Sequence, residues 1–236
     1  MVGVDMNRNH GKIEPLGEAF GFEVTGGASI GIGNVLGAIC PETLINRFGK
    51  SRSELSFDEV NTLRIKIRNG AVVENYNILY MAAEIGENCI IENFCQIGPF
   101  TKIGTGTRAC YSAYIGGGVE VGDGCVIGGF VCDGASIGHG SRIFGRLVHE
   151  QSRPDMGWWG IDEPAPSVGE NSCVGAGATI VGGIHVGDQV YIAAGAVVTK
   201  NVPDRTVVIG TNEFYSLEDW KGARLSGWIE ESRRML

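Results

Sequence analysis

The sequence predicts an all-β fold, a parallel β-helix with an irregular N-terminal cap and a C-terminal helix, and three observations predict it. The first is a six-residue step: Ile67, Val73, Leu79, Ile85, Ile91, Ile97, Ile103, Ala109, Ile115, Val121 and Ile127 each lie six after the last. The second is a partner position. Four residues after most of these comes a small or aliphatic side chain, as at Ala71, Ala83, Cys89, Cys95, Thr101, Thr107, Ala113, Val119, Cys125 and Val131. Because side chains alternate along a strand, an inward, an outward and an inward residue make a three-residue strand such as Cys89-Ile90-Ile91. The third is glycine, at 38 of 236 residues, about twice the usual share of roughly 7%. It gathers in the remaining half of each step, in Gly86-Glu87-Asn88, Gly104-Thr105-Gly106 and Gly122-Asp123-Gly124, where Gly, Asn and Asp tolerate the positive φ of a tight corner. Neither a 3.6-residue nor a two-residue period fits this pattern. A period of six does, and it denotes short strands coiled so that each pairs with its equivalent one coil away.

The chain divides into residues 1–66, a cap or substrate-side region; residues 67–203, the coil; and residues 204–236, a helical tail. Within the first part, Phe20 to Val24 and Ile30 to Gly33 read as short strands, and Pro41 to Phe48 as a helix with proline in its first turn. Between Ile127 and Ile137 the step slips to ten residues, which reads as a small corner insertion around Asp133-Gly134-Ala135. The step resumes through Ile143, breaks off over residues 149–166, and restarts at Val168, Val174, Ile180, Val186, Ile192 and Val198. A loop this long inside a repeat is a place to look for function. In the tail, Ser216 to Asp219 forms a capping-box pattern ahead of an amphipathic helix that would close the open end of the coil.

Composition removes several function classes. Hydrophobic residues make up 43% of the chain and the net charge is −8, so no basic surface for nucleic acid or anionic membrane is expected. No stretch approaches the ~18 apolar residues of a membrane span, and the N-terminus lacks the apolar core of a signal peptide. A cytoplasmic location follows as an expectation. Seven cysteines form no C-x-x-C pair; Cys89, Cys95 and Cys125 fall on inward positions and read as small core residues in a reducing compartment.

Two stretches then carry a resemblance. Val174-Gly-Ala-Gly-Ala-Thr-Ile-Val-Gly-Gly-Ile-His-Val-Gly-Asp188 and Ile192-Ala-Ala-Gly-Ala-Val-Val-Thr-Lys-Asn-Val-Pro203 resemble the hexapeptide-repeat acyltransferases, which include galactoside, maltose and serine acetyltransferases and nucleotide-amino-sugar N-acetyltransferases. The resemblance covers about residues 67–210. It implies a left-handed β-helix of triangular section, a homotrimer with sites between subunits, and an acyl-CoA co-substrate, acetyl-CoA foremost. It also implies a histidine base that deprotonates a small-molecule acceptor such as an amino sugar, a sugar nucleotide or a natural-product amine. His149 matches that histidine, and Ala176, Ala194, Thr199 and Lys200 match residues that contact acyl-CoA. After Val208-Ile209-Gly210 the chain departs from the family's Asn-Pro-Ala-Lys/Arg, so the basic residue for the nucleotide end of CoA is missing there; Arg205, Lys221 and Arg224 are candidates to replace it.

Imidazole titrates near neutrality and suits proton abstraction as an acceptor attacks a thioester. Glu150, with Asp162 or Glu163 across the loop, is a candidate to orient it, against the plainer reading of solvated loop carboxylates. Trp158 and Trp159 form either an apolar wall of the site or a contact with a neighbouring subunit. Gly175-Ala176-Gly177 offers backbone N–H groups for an oxyanion. Two alternatives stand beside acyl transfer: a zinc enzyme like the γ-type carbonic anhydrases, which would need His139, His149 and His185 to converge although none pair at close spacing, and a non-catalytic scaffold. The expected site needs no metal.

Overall fold

A computed structural model describes residues 2–4, 13–15, 22–150, 163–216 and 218–219. Three sheets of 8, 10 and 8 strands form the walls of a coil. Face 1 runs from Phe22–Val24 to His185–Val186, face 2 from Ser29–Ile30 to Thr206–Ile209 and Glu213–Ser216, and face 3 from Val35–Ala38 to Val197–Val198. The chain visits face 1, face 2 and face 3 in turn, so three consecutive strands make one coil, and eight coils complete the stack. The pairings between coils are parallel and in register, save for an irregularity between Leu36 and Ala38 in the first coil. This is the left-handed parallel β-helix expected of hexapeptide steps.

The inward positions form the core: Ile67, Val73, Leu79, Ile85, Ile91 and Ile97 are fully buried, each worth about 1.5–3 kcal/mol of transfer free energy. Strand backbones are satisfied one coil away, as in Lys66 N–H to Ala83 O (2.9 Å) and Ile90 N–H to Thr107 O (3.0 Å). Inward polar residues repeat this logic at the corners. Thr107 Oγ1 donates to Gly122 O and accepts from Cys125 N–H, and Ser172 links Gly187 O to Val190 N–H. Asn77, an inward position that breaks the aliphatic pattern, accepts Cys95 N–H at 2.7 Å, and Asn34 accepts Asn77 N–H at 2.7 Å. The inward cysteines are free and buried. Burial pushes the Cys95 thiol up to about 11 and Cys132 to about 12, so both stay protonated near neutrality.

Two features differ from the expectation. The sheets begin at Phe22, upstream of residue 67: Phe22–Val24, Ser29–Ile30 and Val35–Ala38 already form the first coil. Residues 39–64 leave that coil as an excursion and carry helices α1 (Pro41–Phe48) and α2 (Phe57–Thr62). Proline at the start of α1, an αL Gly49 at its end and the Ser56–Glu59 capping box on α2 account for these short helices. Leu44, Leu63 and Met81 form a satellite core beneath them.

The slip after Ile127 is a contraction, not an insertion at Asp133. Gly128 and Gly129 turn the corner in two residues, so Val131 takes the next inward position, and Phe144-Gly145 repeats the short turn before Leu147. Only glycine fits: a Cβ on Gly129 would lie 1.9 Å from Gly145 O. At the upper end, Thr206–Ile209 and Glu213–Ser216 close face 2 as an antiparallel hairpin. Ser216 Oγ accepts Asp219 N–H at 3.0 Å, as the capping pattern predicts; the tail helix lies outside the described residues.

The contraction gives a direct test. Gly129→Ala is expected to lower stability by about 1–3 kcal/mol, the range for overpacking. Gly124→Asn, at a corner with φ +65, open space around it and Asn88 at the equivalent turn, is expected to stay within about 1 kcal/mol of wild type. Urea titration of both variants checks the contrast.

Candidate active site

Both excursions leave the stack at one corner, between face 3 and face 1. The first departs after Val35–Ala38 in coil 1, and the second after Arg146–Val148 in coil 6, returning at Ser167–Val168. Between them the corner is lined by Pro99-Phe100, Gly116-Gly117-Gly118 and Cys132-Asp133-Gly134. Phe100 is held under the helices by Phe48 (centroids 6.4 Å apart) and by the Arg47 guanidinium 4.0 Å over its ring. The glycines beyond it leave the corner nearly bare of side chains up to coil 5.

His149 stands where the second excursion begins. Its Nδ1 and Nε2 atoms are buried, and neither has a hydrogen-bond partner among the described residues. A buried polar atom without a partner is costly and calls for a role. Gly182, one coil above, donates its N–H to Val148 O at 2.9 Å. A Cβ there would meet Glu150 at 3.4 Å, and one on Gly183 would lie 2.2 Å from Pro164 Cβ. These two glycines let both ends of the excursion pass against coil 7.

Sequence reading missed Asp133. Face 3 pairs Val131 with Leu147, Cys132 N–H donates to Leu147 O at 3.0 Å, and Asp133 and His149 follow these strands at the same corner, one coil apart. Asp133 is half-buried, and its Oδ1 accepts Gly117 N–H at 2.5 Å. The signal was present as a carboxylate one contracted coil, 16 residues, before the histidine, but it could be seen only once the contraction had been located. Beside this corner, on the outer side of face 3, lie Tyr114, Phe130 and Arg146. Burial, with the nearby Asp133 as a lesser cause, pushes the Tyr114 hydroxyl above its ordinary value, so it remains a neutral donor.

The remaining candidates separate. Glu150 is exposed and makes no bond to the imidazole, and Glu163 lies at the return beside Pro164. Trp158, Trp159 and Asp162 lie outside the described residues, as do Lys221 and Arg224. Thr199 and Lys200 are exposed on the same corner as His149, two coils up, with Thr199 tied to Asn212 at 2.9 and 3.0 Å. Ala176 and Ala194 are exposed on the other edge of face 3, so the four flank the outer surface of face 3 in coils 7 and 8. Gly175-Ala176-Gly177 shares that far corner, whereas Gly183 N–H, for which no bond is found among the described residues, is at the histidine corner. Arg205 is committed elsewhere, to Glu218 at 2.7 Å and Gln189 at 2.7 Å.

The other histidines are dispersed. His139 accepts Asp123 N–H at the corner between faces 1 and 2 (3.0 Å), and His185, on the outside of face 1, bonds Ser167 Oγ at 2.9 Å. Among the described residues no three metal-ligating side chains gather, and no helix is long and apolar enough to cross a membrane.

Comparison with known proteins finds one family model and a set of relatives and solved structures. Residues 165–200 match the family model described as bacterial transferase hexapeptide (six repeats). Among curated relatives, the bifunctional protein GlmU of Wolbachia pipientis wMel is 29% identical over 150 residues, 61% of this chain and 32% of that protein. GlmU of Koribacter versatilis is 29% identical over 155 residues, 66% of this chain and 28% of its own length. The chain thus spans about a third of the length of these relatives. Among solved structures, a mutant of GDP-perosamine N-acetyl transferase from Caulobacter crescentus, in complex with CoA and GDP-perosamine, is 21% identical. It aligns over 76% of this chain and 67% of that one, with a TM-score of 0.35. Serine acetyltransferase from Brucella abortus is 26% identical over 49% of this chain and 38% of its own, with a TM-score of 0.31. Residues 165–200 thus carry the repeat of the transferase hexapeptide model, on a coil of three-strand turns.

Proposed function

We propose that this protein transfers an acyl group, acetyl foremost, from acyl-CoA to the amine or hydroxyl of a small polar acceptor, with His149 as general base. The observation that carries this reading is the buried imidazole with two unpartnered nitrogens at the corner where the excursion opens. The acceptor's proton passes to His149 as its nitrogen or oxygen attacks the thioester carbonyl. The tetrahedral intermediate collapses to the new amide or ester and expels the CoA thiolate, which takes the proton back. Gly183 N–H, at the same corner, is placed to steady the oxyanion. Ala176, Ala194, Thr199 and Lys200 hold the pantetheine arm across the outer side of face 3. The match of residues 165–200 to a transferase hexapeptide model supports the group-transfer chemistry. A homotrimer is part of this reading, with the exposed Ile32, Tyr76, Phe94 and Tyr111 along one edge as apolar surface for a neighbouring copy.

Asp133 acts on His149 in this scheme. A carboxylate one coil away at the same corner stabilises the imidazolium that forms during attack.

Incubation with acetyl-CoA and a panel of amino sugars and amines should release free thiol, and His149→Ala should slow that release by about 10²–10⁴ while the melting transition stays intact. Near-wild-type turnover in His149→Ala would remove the histidine from the mechanism. Asp133→Asn should lower kcat about tenfold with the KM for acetyl-CoA unchanged, because the imidazolium formed during attack loses a nearby anion. An unchanged kcat would reduce Asp133 to a structural role.

A further inference from the structure

The outer side of face 3 carries a strip that acyl transfer from CoA does not by itself explain. Across coils 3 to 6 the outward positions in strict register are Gln96, Tyr114, Phe130 and Arg146. Tyr114 and Phe130 stack at 4.7 Å with 6° between their planes, and the Arg146 guanidinium lies 5.5 Å from the Phe130 centroid. The strip ends at Arg146, on the strand Arg146–Val148 that leads into His149.

The charge on Arg146 is handled differently from that of four other cations of the stack. Lys66 meets Glu84 at 2.6 Å, Lys102 meets Glu120 at 3.0 Å, Arg108 meets Glu92, and Arg205 meets Glu218 at 2.7 Å. Arg146 has no carboxylate within 4.0 Å among the described residues and is exposed, in a chain of net charge −8. A guanidinium resting on an aromatic ring keeps its edge N–H donors free, and that edge fits the paired oxygens of a carboxylate or phosphate.

We propose that Arg146, supported by Phe130 and Tyr114, is the specificity determinant for the acceptor, and that the acceptor is a ring compound bearing an oxyanion. This rests on the acyl-transfer reading. The CoA candidates occupy coils 7 and 8, above His149, whereas the aromatic strip approaches the histidine from coils 4 to 6 below it. Donor and acceptor therefore meet at the histidine from opposite directions. Three residues of chain separate Arg146 from His149 by about 10 Å, so an Arg-bound oxyanion leaves room for one six-membered ring before the reacting amine or hydroxyl. The ring lies against the Tyr114 and Phe130 surface.

The test pairs matched acceptors: glucosamine with glucosamine 6-phosphate, and aniline with 4-aminobenzoate, each with acetyl-CoA and free-thiol detection. In the wild type, at least one anionic member is expected to show a KM about tenfold or more below its neutral partner, a charge-assisted preference. Arg146→Ala should abolish that preference by raising KM for the anionic member alone, with kcat within about twofold, and Arg146→Lys should retain part of it. The two pairs report whether phosphate or carboxylate is the oxyanion read. Equal KM ratios in wild type and Arg146→Ala would overturn the proposal, as would equal KM for neutral and anionic members in the wild type.

A calorimetric titration with glucosamine 6-phosphate and 4-aminobenzoate, without acetyl-CoA, separates the two layers. Binding of either probe to wild type that Arg146→Ala loses, with no thiol released by any acceptor, would leave the oxyanion site standing and remove acyl transfer. Thiol release from neutral acceptors with neither probe bound would do the reverse.

Discussion

The structure depends on one constraint: each coil must present its strands in register with the coil below, because the backbone hydrogen bonds of every strand end on its equivalent one coil away. Lys66 N–H to Ala83 O and Ile90 N–H to Thr107 O are instances of this single bond type. A short two- or three-residue strand has no stability alone; it is stable only as a rung with rungs on both sides. Register in turn stacks like positions on like. Inward Ile and Val build one continuous core, and Lys on face 1 meets Glu one coil further along.

The same constraint dictates where the coil can change. A strand cannot lengthen without shifting every pairing above it, so variation is confined to corners. The wall absorbs two contractions, at Gly128-Gly129 and Phe144-Gly145, because both occur in successive coils at one corner and preserve register between them. Two excursions leave from a second corner, one bearing helices and one beginning at His149. Placed five coils apart on a single edge, they flank a corner of glycines at coils 4 and 5, the open ground on which Asp133 stands.

Packing makes its exception at His149. The coil satisfies nearly every inward polar group by a ladder bond, as at Thr107, Ser141 and Ser172. Against that background an imidazole with both nitrogens buried and unpartnered among the described residues is a departure from the rule that most of the wall obeys. Arg146 departs in the same sense: where Lys66, Lys102 and Arg108 meet a carboxylate, it lies over a ring. Arg146 lies on the strand that leads into His149, and Asp133 lies at the corner where His149 stands, one coil below.

The six-residue period alone determined the coil, its inward residues and the break after Val148, because a rung's requirements are local: an apolar inward side chain, its partner and a turn that tolerates positive φ. The break in turn drew attention to His149. What sequence could not determine was which residues neighbour each other between coils. The first coil, Phe22 to Ala38, was hidden because residues 39–64 interrupt its phase. The slip at Ile127 read as an insertion because a two-residue glycine corner shows itself only by how closely the chains approach. Asp133 at the corner of His149, Arg146 over Phe130, and the separation of Ala176 and Ala194 from Thr199 and Lys200 follow from register and corner, which the tertiary structure decides. Sequence order sets the contents of a coil, while closure of the coil sets what lies one strand away.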